Sequence, residues 1–150
     1  MLKDSVKAKG KLEILLLDSK GNQKDKREIE NLVVHVGKVY LTERMQSNTN
    51  PVMSHMAIGT ANVAAATNQT VLLGESTRVA LDSNTISGNS ITYAATFGAG
   101  VPLGGTTLAE AGIFNNPTAN IGTMLCRTRF NEVNKANADV VVITWNITIQ

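Results

Sequence analysis

The chain has 150 residues, enough to bury one substantial core and too few for two ordinary domains. Hydrophobic residues make up 43% and charged residues only 17%, which argues against disorder; Thr, Asn, Ser, Gly and Ala replace the charge, as suits short strands and tight turns rather than a helical bundle. A formal net charge of +2 is too little to argue for nucleic acid by itself, and an aromatic content of 4% is too low for base-stacking platforms.

Most of the basic residues precede position 30. Lys3, Lys7, Lys9 and Lys11 lie in a poorly patterned opening segment, residues 1–11, read as a basic arm ahead of a single β-sandwich domain over 12–150. These lysines either guard a solvated strand edge or track an acidic surface. From Lys7 to Asp18 the chain alternates and then turns wholly apolar; Ser19-Lys-Gly-Asn22 signals a turn, and Gln23 to Val36 returns as a second strand. Gly37 marks a change of period. Lys38 to Gln46 places Leu41 and Met45, among others, at helical spacing and is the one predicted helix, covering an end of a sheet and stopped by Ser47-Asn-Thr-Asn-Pro51.

Val52 to Thr60 reads as a buried strand, Ala61 to Thr70 as a small-residue loop, and Val71 to Leu81 as a strand or a bent strand with a turn at Gly74. Ser87-Gly88-Asn89 joins two strands, the second from Ser90 to Phe97, and Gly98 to Gly105 is an exposed loop. Thr106 to Asn115 is the central strand. Leu108, Glu110, Gly112 and Phe114 share one of its faces at period two, and Ala109, Ala111, Ile113 and Asn115 the other. Glu110 among small and apolar residues demands a basic partner, and Arg127 or Arg129 on the next strand, Met124 to Phe130, would supply a structural ion pair. Asn131 to Asp139 is a polar crossover into the last strand, Val140 to Ile149. Eight to nine short strands separated by regular turns predict an all-β fold: an antiparallel two-sheet sandwich, jelly-roll-like, whose long excursions at 47–70 and 98–106 cross between sheets.

Little in the chain resembles catalytic machinery, and no catalytic residue, cofactor or metal ligand is assigned. Gly74-Glu-Ser-Thr-Arg78 departs from a nucleophile elbow because Arg78 stands where that turn needs glycine, so Ser76 is not a nucleophile. His35 and His55, the two histidines, lie in apolar strand contexts where a hydrogen-bonded core histidine is expected. The single Cys126 excludes an intrachain disulfide and a thiolate metal cluster, and Trp145 reads as core. The opening residues lack a signal-peptide core, and no stretch reaches the ~20 apolar residues of a membrane span.

The segments Asn31-Leu-Val-Val with Gly37, Met53-Ser-His-Met-Ala-Ile-Gly59-Thr, Leu73-Gly-Glu-Ser-Thr-Arg78 and Tyr93-Ala-Ala-Thr-Phe97 form an ordered series. It continues through Glu110-Ala-Gly-Ile-Phe114, Met124-Leu-Cys-Arg127, Asn134-Lys135 and Ile143-Thr-Trp-Asn-Ile-Thr148. In order and spacing, from about Leu12 to the C-terminus, this series resembles a family of tailed-bacteriophage virion proteins: capsid cement or decoration proteins, head fibres and tail-fibre-like proteins. Taken as a whole chain, 150 residues hold a compact body without a shaft, which favours the capsid. The resemblance implies a non-enzymatic protein made in the host bacterial cytoplasm and placed on the outer capsid surface, binding the phage major capsid protein and itself, as dimer or trimer. Direct contacts to nucleic acid or membrane are not expected. Lys3, Lys7, Lys9 and Lys11 are then the capsid-contact candidates. The alternative is a tail or fibre-tip component that binds a host receptor or glycan.

Overall fold

A computed structural model describes residues 4–150. In chain order it has β1 (Ala8–Leu17), β2 (Gln23–Val33), α1 (His35–Gln46), β3 (His55–Gly59), β4 (Glu75–Ala80), β5 (Ser83–Ser87), β6 (Ser90–Phe97), β7 (Thr106–Phe114), β8 (Met124–Lys135) and β9 (Val140–Ile149). The nine strands form one antiparallel sheet in the order β4-β3-β7-β8-β2-β1-β9-β6-β5.

The sheet is curled into a half-barrel, and the chain shows why. β4 and β5 are its two outer strands, yet only Leu81 and Asp82 separate them in sequence. A link so short spans about 10 Å when extended, so the two edges must converge at that corner. Leu81 N–H donates to Ser54 O (2.9 Å) and Asp82 N–H to Ala94 O (2.8 Å), tying the corner to both ends of the sheet. The bend lies at the opposite side, where β2 pairs with β1 along most of its length but is in ladder register with β8 only at Leu32 and Val33.

The concave face collects alternate side chains from most strands, whereas β5 is exposed along its length. Leu12, Trp145 and Tyr93 stand in one row across β1, β9 and β6, followed by Ile14, Ile143 and Ala95, then Leu16, Val141 and Phe97. These rows pack with Met56, Ile58, Leu108, Ile113, Cys126 and Phe130 from the other half in one core. The Trp145 indole N–H lies in this core without a hydrogen-bond partner among the described residues.

Several expectations are corrected here. Instead of two stacked sheets with jelly-roll connections there is one continuous sheet, because the corner at Leu81–Asp82 and the hinge at Leu32–Val33 let a single sheet enclose the core. The 98–105 segment does pass between the two halves, from β6 to β7, but residues 60–74 link the neighbouring strands β3 and β4 instead of crossing. The polar crossover shrinks to Ala136–Asp139, since β8 runs on to Lys135. Ala8–Lys11, expected in the basic arm, belong to β1, paired with β9 from Ala8 and with β2 from Gly10. The helix starts at His35, not Lys38. Gly37 lies inside the helix as a contact point: a Cβ there would stand 2.0 Å from Leu125 O, so only glycine lets α1 lie against β8. Tyr40, buried one turn on, donates its hydroxyl to Pro51 O (3.1 Å).

Candidate functional site

Glu110 and Arg127 are both fully buried. Their side chains meet diagonally across β7 and β8: Arg127 Nε and a terminal nitrogen lie 2.9 Å and 2.8 Å from Glu110 Oε2. By backbone register the residue directly opposite Glu110 is Arg129, and the one opposite Gly112 is Arg127. Arg127 leans diagonally back to the carboxylate, while the space over Gly112 is bordered by Leu72 and Phe114. Arg129 instead hydrogen-bonds the Asn62 side chain at the surface. Of the two partners expected from sequence, the structure selects Arg127.

The pair reaches beyond the strands. Gly74 N–H (2.6 Å) and Leu73 N–H (3.1 Å) donate to the Glu110 carboxylate, while Arg127 donates to Gln69 Oε1 and Val63 O, both at 3.0 Å. Residues 60–74 are thereby pinned over the outer face of β7 and β8. Gly59, opposite Glu110 on β3, leaves the space its carboxylate fills, since a Cβ there would lie 2.5 Å from Oε1. Chemically this is a closed centre: each charged group is satisfied by the chain itself, which suits anchoring and leaves no open valence for a substrate.

One face prediction fails here. The ladder is irregular between Leu108 and Glu110, so Leu108 joins the main core, whereas Phe114 packs with Val34, Ala57, Leu72 and Met124 in a second cluster. Strict alternation could not anticipate the break. Beside that cluster Arg78 forms a two-point pair with Glu75 (2.8 and 2.9 Å), donates to Asn116 O and Ile121 O, and places its guanidinium 3.7 Å from the Phe114 ring centre. Arg78 thus fixes the 116–121 turn. It also answers the nucleophile-elbow comparison, because the arginine at that position belongs to packing.

Ser76 is exposed on β4. His35 is exposed at the start of α1; half-buried His55 shares a 2.8 Å hydrogen bond with the Ser54 hydroxyl. Burial and the neighbouring Arg78 cation push the His55 imidazole below its ordinary value. A serine–histidine couple needs an acid behind the ring, and the charge that acts on this ring is a cation. Burial pushes the Cys126 thiol well up. Among the described residues no cluster of His, Cys, Asp or Glu is placed to hold a metal, and no helix is long and apolar enough to cross a membrane.

The four lysines expected from sequence to contact a capsid separate. Lys3 lies outside the described residues. Lys11 forms an exposed ion pair with Glu28 (2.9 Å), whereas Lys7 and Lys9 form none among the described residues. Together with Lys38 they border a groove of about 800 Å³ between α1 and the start of β1, lined also by Leu41, Met45 and Ile149. Sequence reading missed this groove, although Lys38, Leu41, Thr42 and Met45 recur at one helical face. It also missed two stretches without any charged residue, 45–74 and 83–109. The chain matches no protein-family profile, no curated protein and no solved structure.

Proposed function

We propose that this chain is a non-enzymatic structural protein of a tailed-bacteriophage virion, a cement or decoration protein on the outside of the major capsid shell. The observation that carries the non-enzymatic part is the Glu110–Arg127 centre: its buried charges are consumed in holding a long loop to the sheet. The virion part rests on the likeness of segment order described above. A curled sheet whose edges are tied at a two-residue corner makes a stiff body, and the charge-free 45–74 and 83–109 stretches offer polar surface that is cheap to desolvate against a partner. Bound over junctions between capsid subunits, many copies would hold the shell by avidity, each contact being modest.

The test is fractionation of purified particles from cells that encode this chain. Quantitative mass spectrometry of tailless, genome-filled heads should find it in copy numbers comparable with the major capsid protein. Recovery in a few copies with the tail fraction would replace this reading by the receptor-binding one, and absence from particles would refute both.

A further inference from the structure

The groove beside α1 combines two features that the fold itself does not use. Along one helical face, Lys38, Leu41, Thr42 and Met45 form one wall, and Val6 to Lys9 with Ile149 form the other. Met45 is 88% and Val6 80% exposed, so two large aliphatic side chains stand in water at its rim. Lys7, Lys9 and Lys38 line the same concavity and have no ion-pair partner among the described residues. The next lysine along β1, Lys11, is already matched by Glu28, which leaves the positive field at this end. The wall opposite α1 is tied by backbone: Lys7 and Gln150 exchange N–H···O bonds of 2.6 and 2.7 Å.

A simple anion would use the lysines and ignore Leu41, Met45 and Val6; a purely apolar ligand would gain nothing from three cations. A peptide with aliphatic anchors flanked by carboxylates uses both. We propose that this groove docks an acidic, aliphatic segment of a partner protein, with its aliphatic side chains between Met45, Leu41 and Val6 and its carboxylates on Lys7, Lys9 and Lys38. The inference deepens the proposed function, on which it rests, by naming the surface and the chemistry of the capsid segment that would occupy it.

The probe is the fluorescein-labelled peptide EELLEELLEE, followed by anisotropy against the full chain. Saturable binding is expected below about 1 mM, weakened about tenfold or more by Met45→Asp and by Lys38→Glu. Lys20→Glu, in the exposed β1–β2 turn, should leave it unchanged. Equal loss with Lys20→Glu, or no saturable binding, overturns the proposal. Tighter binding of laurate, displacing the peptide, would assign the groove to an anionic amphiphile instead; self-association that Met45→Asp abolishes would assign it to a second copy, and either overturns the proposal. Co-sedimentation with heads lacking this chain separates the inference from the capsid reading. Wild-type binding that Met45→Asp abolishes supports both, and equal binding by both proteins overturns the groove alone. Binding by neither overturns the capsid reading, and the peptide titration then decides the groove.

Discussion

Replacing Arg127 by Met keeps much of the side-chain volume and removes the guanidinium. Glu110, 0% exposed, would then face the interior with its charge supported only by backbone donors, of which Gly74 and Leu73 are the nearer. Breaking a buried pair by removing one partner costs about 3–5 kcal/mol, and the remaining amides place this case at the lower end, about 3 kcal/mol. For a chain of this size that corresponds to a fall in Tm of roughly 10 °C. Urea denaturation of wild type, Arg127→Met, Glu110→Gln and the double variant should give a coupling of at least about 1 kcal/mol, because the two side chains share one network. Hydrogen exchange adds a local readout: the Leu73 and Gly74 amides should lose protection in Glu110→Gln, since their acceptor is weakened. A loss below about 1 kcal/mol for Arg127→Met, or additive single variants, would refute the claim that this pair anchors the 60–74 loop.

Gly37→Ala forces a methyl group toward Leu125 O at 2.0 Å, so α1 must shift from β8; a loss of about 2–3 kcal/mol in denaturant melts is expected, and a neutral result would contradict the close approach. Cys126, 0% exposed with its thiol pushed well up, should resist DTNB in the native protein and react at the rate of global opening, so rapid native labelling would contradict the packing. At Asp139, hydrogen bonds from Lys24 Nζ (2.7 Å) and Ala136 N–H (2.9 Å) hold the carboxyl below its ordinary 3.8. A depressed folded-state value gives stability that is present above the ordinary range and lost as pH falls through the folded value. The stability gap between wild type and Asp139→Asn should therefore be constant near neutrality and close below about pH 4. A gap that widens on acidification would reverse the assignment.

The all-β class, the hairpin turns at Lys20–Gly21 and Gly88–Asn89, and the need of Glu110 for an arginine were legible from sequence because each depends on neighbours a few residues apart. Period two records which side chains a strand buries, and an acid in an apolar strand records a missing partner. What remained hidden depends on residues far apart in the chain. Whether the strands formed two sheets or one was decided by the corner at Leu81–Asp82 and by the two-residue ladder pairing of β2 with β8, neither of which alternation encodes. Gly37 reads only as a change of period until Leu125 is seen behind it, and Arg129 reads as well as Arg127 until the diagonal contact with Glu110 is seen. The groove followed the same rule: the helical stripe from Lys38 to Met45 is local, but only the tertiary structure sets it across from Val6, Lys7, Lys9 and Ile149. Local sequence recorded most of what is buried, and long-range closure of the sheet decided which residues pair and what they face.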